Sequence, residues 1–138
     1  MITFLPYADF KQSAKVLDRL RLGKQRLEVD WTLQQIGDVK YRNYPLVKMW
    51  RSHFNLLIEY GQAMCLEWMD RGYEDNFYDV FESRRTKAVE AKPNWLGDER
   101  LHSSHRGRLL AKNPAWYKQF KWTESPRNDY WWPLTALL

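Results

Sequence analysis

Leu46-Val47-Lys48-Met49-Trp50-Arg51-Ser52-His53-Phe54-Asn55-Leu56-Leu57-Ile58-Glu59-Tyr60-Gly61-Gln62-Ala63-Met64-Cys65-Leu66-Glu67-Trp68-Met69-Asp70 is the stretch that decides the fold. Leu46, Met49, Trp50, His53, Leu57, Tyr60, Met64 and Trp68 recur within it every three or four residues. That spacing lines one face of an α-helix, and no strand register reproduces it. The pattern predicts a long central helix from Leu46 to Asp70. Pro45 stands near its start, where a helix has no use for the missing N–H. Arg71-Gly72 supplies a cationic last turn and a C-terminal glycine.

The same periodicity extends upstream. From Phe10 to Ile36, Leu20, Leu27 and Trp31 form one apolar line, and Leu22, Val29, Leu33 and Ile36 an adjacent one. Together they predict a wide buried stripe. Gly23 marks either a close helix contact or a break between two helices, and Gly37-Asp38 is the stop signal. Tyr41-Arg42-Asn43-Tyr44-Pro45 reads as a loop. Downstream, Glu74 to Ala91 suggests a short helix or two around Val80, Phe81 and Val89. A helix from Asp98 to Lys112 is expected, capped by Asp98, with Leu101, Leu109 and Leu110 facing inward. A short aromatic helix, Ala115 to Phe120, should follow Asn113-Pro114, with Trp116 and Phe120 mostly in the core and Tyr117, Lys118 and Lys121 more exposed. The tail, with Pro126 and Pro133, should be irregular and wrap the body through Tyr130, Trp131 and Trp132. Alternating β patterns are almost absent, so the fold class is all-α, a single helical domain over residues 1–138.

Composition narrows the function. A net charge of +5 favours an anionic partner such as nucleic acid, a nucleotide or a membrane surface. Eight tryptophans and eight tyrosines exceed what so small a core can absorb, which leaves rings free to stack on bases, bind sugars or meet another protein. The single cysteine, Cys65, rules out an intramolecular disulfide and suits a reducing compartment. Met1-Ile2-Thr3-Phe4-Leu5-Pro6 lacks the features of a secretory signal, and no apolar run is long enough for a membrane span. A cytoplasmic, membrane-free monomer is expected.

Three segments carry candidate chemistry. In Leu17 to Glu28, Arg21, Lys24, Gln25 and Glu28 lie at i, i+3, i+4 and i+7 and share a helical face. Cations neutralise phosphates, an amide can read a base or ribose, and a carboxylate can do acid–base work. An ordinary solvated face with ion pairs is the competing reading. In Asp98 to Arg108, His102 and His105 stand three apart among serines and arginines, a pattern for phosphate contacts with a general acid or base. The same histidines also suit a purely structural role, and the ligands for a metal are too few. In Asn113 to Trp122, aromatics alternate with lysines, so bases can stack on the former while phosphates pair with the latter.

The order of these segments resembles the pyrimidine-dimer DNA glycosylase family of the phage endonuclease V type. An early helix bears arginines and acids. Tyr41 to Gly72 is similar to the family's loop and long helix ending in Arg-Gly-aromatic, here Arg71-Gly72-Tyr73. Pro114-Ala115-Trp116-Tyr117-Lys118 is similar to its Pro-x-Trp-Tyr-Lys element. Arg21-Leu22-Gly23-Lys24-Gln25-Arg26 and the run from Asp98 to Arg106 resemble a divergent bacterial and phage branch. The resemblance implies an all-α enzyme that needs no cofactor. It would cut the glycosidic bond of a damaged pyrimidine through an N-terminal amine, by a Schiff base, with a helix glutamate assisting. An α-amine, titrating near ~8, is a workable nucleophile at neutral pH. The family's nucleophile is a threonine freed by removal of the first methionine, whereas Ile2 follows Met1 here and should block that removal. The amine is then that of Met1, or the mechanism differs, with Lys24 as a substitute. Either Asp18 or Glu28 is the candidate carboxylate.

These readings give a DNA base-excision enzyme with possible lyase activity on damaged or modified duplex DNA. Met1, Asp18, Lys24, Glu28, His102 and His105 are its candidate catalytic residues. Arg19, Arg21, Gln25, Arg26, Arg100, Arg106, Tyr117, Lys118 and Lys121 are its candidate DNA contacts. A non-catalytic nucleic-acid-binding protein and an enzyme of free modified nucleotides are the alternatives.

Overall fold

A computed structural model describes all residues, 1–138. Its regular structure is all helical, without strands. The elements are α1 (Phe10–Val16), α2 (Arg19–Gln35), α3 (Pro45–Trp50), α4 (Phe54–Asp70), α5 (Tyr78–Ser83), α6 (Glu99–Lys112), α7 (Pro114–Tyr117) with a 3-10 turn at Lys118–Phe120, and α8 (Leu134–Leu137). None is long and apolar enough to cross a membrane.

Both long predicted helices are divided. The first breaks at Leu17-Asp18, whose backbone is extended, and not at Gly23. Asp18 is held out of the helix by Tyr117: its N–H donates to the phenol oxygen (3.0 Å), and the phenol donates back to Asp18 Oδ1. Gly23 is the close contact, since a Cβ there would meet the Trp68 ring at 3.0 Å. The second helix breaks at Arg51–His53. The N–H groups of Asn55 and Leu56, orphaned by that break, donate to the Glu90 carboxylate at 2.9 to 3.2 Å. His53 itself bonds the Ala91 carbonyl through Nδ1.

The core forms where α2 crosses α4, and Leu22, Val29 and Leu33 of α2 meet Leu57, Ile58 and Met64 of α4 in one apolar cluster. Gly61 permits the approach: a Cβ there would stand 2.7 Å from Val29 Cγ1 and 2.8 Å from the Phe81 ring. Gly72, at φ +92°, ends α4 in the left-handed region, as the Arg71-Gly72 signal predicts. The other apolar line of α2 faces outward. Leu20 and Leu27 are 63% and 56% exposed, and Trp31 is half-buried against Tyr41 and Tyr44. With two apolar lines on one helix, only that facing α4 enters the core.

Two more expectations are corrected. Tyr117, not Trp116, is buried, because its phenol caps the break at Asp18, while the Trp116 ring lies shallower and donates to the Val16 carbonyl. Val89 is fully exposed, and only Tyr78–Ser83 is helical in the stretch from Glu74 to Ala91, anchored by buried Phe81. The tail does wrap the body: Trp131 N–H donates to Ser104 Oγ, and Ala136 of α8 is buried.

Candidate active-site cleft

Ile2 to Pro6 is an extended segment buried between α2, α4 and α6. It has no sheet partner, so side chains must satisfy its backbone. Gln25 does so twice: Oε1 accepts from Phe4 N–H (2.9 Å) and Nε2 donates to the Ile2 carbonyl (3.1 Å). Tyr60 donates to the Phe4 carbonyl, and Arg106 to that of Pro6. Leu5 is held on both sides by α6, its N–H donating to His105 Nδ1 and its carbonyl accepting from His102 Nδ1, each at 2.8 Å. His102 then has Nε2 free of a proton, and that atom accepts from Gly97 N–H.

The first peptide N–H of the segment, that of Ile2, donates to Glu28 Oε2 at 2.8 Å. This contact lies in a cleft of about 340 Å³. Met1, Ile2 and Phe4 form one side, and Leu20, Arg21, Lys24 and Glu28 of α2 form another. Arg108 and Lys112 of α6 and Tyr130 of the tail close it. The cleft thus concentrates two arginines and two lysines, with the N-terminal amine, around one carboxylate. Burial raises the Glu28 pKa above the ordinary carboxylate value, against the Ile2 hydrogen bond and the charges of the N-terminus, Lys24 and Lys112. Lys112 is pushed down, first by burial and then by Arg108, Arg21 and Lys24. Such a site attracts an anion and keeps one carboxyl group adjustable in its protonation.

The remaining candidates fall elsewhere. Asp18 is buried against Tyr117 and paired with Arg21 (3.2 Å), outside the cleft lining. His102 and His105 lie behind the cleft, where they hold Leu5. Burial pushes His105 down to about 3, so its ring is neutral. Arg26 pairs with Asp75 (2.9 Å) under the Trp68 ring, and Arg106 is enclosed by Pro6, Glu124 and Glu99. Gln25 and Tyr117 spend their polar groups inside the protein. Arg19, Lys118 and Lys121 are exposed, and Arg100 is largely exposed, paired with Asp98 over the Trp131 ring. The candidates that converge are Met1, Arg21, Lys24, Gln25 and Glu28. Sequence reasoning passed over Arg108, Lys112 and Tyr130 as site residues. The i, i+4 spacing of Arg108 and Lys112 was the available signal, but nothing local shows that this face of α6 meets α2.

The profile of the pyrimidine dimer DNA glycosylase family matches residues 1–79. The chain belongs to that family. Membership supports a DNA glycosylase-type function with DNA as substrate. The match takes in the N-terminal segment and the α2 side of the cleft, whereas Arg108, Lys112 and Tyr130 come from beyond it. No significant match to a curated protein or to a solved structure was found.

Proposed function

We propose that the chain excises a damaged pyrimidine from DNA through an amine nucleophile in this cleft, and then cleaves the strand as an abasic-site lyase. The observation that carries the reading is the 2.8 Å contact between Ile2 N–H and Glu28 Oε2 within a cationic cleft. It holds the N-terminal amine, one residue away, beside the only carboxylate of the cleft lining.

In this mechanism Arg21, Lys24, Arg108 and Lys112 engage the phosphates flanking the lesion. The amine lone pair attacks C1′ of the deoxyribose. The glycosidic bond breaks, its electron pair leaves with the base, and the base takes up a proton. Opening of the sugar ring gives an imine between the amine nitrogen and C1′. Glu28, as carboxylate, removes a C2′ proton, and the C3′–O bond breaks with its electrons departing on the phosphate. The Met1 amine is the nucleophile, with Lys24 as the other amine bordering the cleft.

Borohydride reduction in the presence of an abasic duplex tests this. A covalent protein–DNA adduct is expected, with peptide mapping placing it on Met1. An adduct on Lys24 would transfer the nucleophilic role. Absence of both adduct and nicking on abasic and dimer-containing duplexes would refute the covalent mechanism.

A further inference from the structure

An enzyme that reaches C1′ inside a duplex must open the base stack at the lesion, which leaves a gap that water fills poorly. Apolar side chains pushed between base steps occupy such gaps in bent or opened duplexes. Five apolar or aromatic side chains border the cleft: Met1, Ile2, Phe4, Leu20 and Tyr130. Ile2 and Phe4 are buried in the core. Tyr130 is half-buried, packed on Phe4 and His105 with Arg108 over its ring. Met1 carries the amine of the proposed reaction.

Leu20 alone is apolar, exposed and anchored on a rigid element. It sits in the first turn of α2, whose opposite face is locked into the core by Leu22, Val29 and Leu33. It is the apolar residue shared by the cleft and by an adjoining groove of about 410 Å³ that includes Leu27 and Trp68. Arg19 and Arg21 flank it, and Lys24 stands one turn further on. A leucine so exposed adds little to the fold, and the cations around it are disposed to hold a phosphate chain on either side.

We propose that Leu20 is the wedge that enters the duplex at the lesion and fills the gap in the opened stack. The inference rests on the excision reading above, with duplex DNA as the occupant.

The test uses the full chain and a duplex with a tetrahydrofuran abasic analogue beside 2-aminopurine, whose fluorescence rises when it loses its stacking partner. Wild-type protein should raise the signal on binding. Leu20→Ala should lose most of the rise and bind this duplex roughly tenfold more weakly. Its affinity for undamaged duplex and its borohydride trapping on a single-stranded abasic oligonucleotide should stay within about twofold, because neither requires a gap to be filled. Leu20→Phe should keep the rise, and Leu27→Ala should behave as wild type. An undiminished rise in Leu20→Ala, an equal loss in Leu27→Ala, or a dimer that Leu20→Ala dissolves would overturn the wedge. Failure of the wild-type protein to trap on abasic duplex and single strand alike would instead refute the covalent mechanism, leaving the fluorescence to decide on Leu20.

Discussion

Glu28 and His105 are titratable residues on opposite sides of the same buried segment, and burial moves both toward neutrality. For Glu28, burial outweighs a hydrogen bond and several cations, so its midpoint lies above that of an ordinary carboxylate. If the ionised form takes the C2′ proton, the strand-cleavage rate should climb with pH through that raised midpoint. Glu28→Gln should abolish this limb and lower the single-turnover rate by roughly 10²- to 10⁴-fold, with DNA affinity retained. For His105 the sign concerns stability. Its pKa falls from 6.5 to about 3 on folding, so between these values the unfolded chain binds the extra proton and acid destabilises the fold. The contribution is complete above pH 6.5 and diminishes progressively toward pH 3, by at most about 1.4 kcal/mol per pH unit. Melting temperatures of wild type and His105→Gln followed from pH 7 to pH 4 should converge, and parallel curves would refute this account.

At the scale of elements, the crossing of α2 and α4 depends on Gly61. A methyl group there meets Val29 and Phe81 at distances that packed carbons do not adopt. Gly61→Ala should therefore destabilise the fold by about 1–3 kcal/mol, despite alanine's better helix propensity. A rise in melting temperature would show that the helices can part at no cost. The break before α4 is held by Glu90 from 35 residues away. Glu90→Ala should leave the N–H groups of Asn55 and Leu56 without a partner, and amide exchange should accelerate there first. Both breaks lie beyond periodicity because their causes are tertiary. Tyr117 draws Asp18 out of one helix, and Glu90 caps the other where the apolar repeat runs on unbroken.

At the scale of the molecule, the cleft is assembled from four parts of the chain: the N-terminal segment, α2, α6 and the tail. α2 and α6 each contribute two cations, Arg21 with Lys24 and Arg108 with Lys112. DNA affinity should fall steeply with salt. The double variant Arg108→Ala/Lys112→Ala should reduce the logarithmic salt slope by about 1.8, some 0.9 for each phosphate left without its cation. An unchanged slope would place the phosphates on another face. Lys118 and Lys121 provide the comparison, since they are exposed but do not line the cleft.

The sequence by itself determined the helical class, the apolar face of α4, the stop at Gly72, and the early helix on which Lys24 and Glu28 share a side. These are local properties, written in residue spacing and in backbone preference. It also carried the family, through short motifs read in order. Only the tertiary structure decided which polar residues remain available. Gln25, His102, His105, Arg26 and Tyr117 have the chemistry of binding residues, yet the first three serve a buried segment without a strand partner, Arg26 is paired with Asp75, and Tyr117 holds the break before α2. It decided equally that Leu20 and Leu27 stay outside, because an apolar line enters the core only where another element comes to cover it.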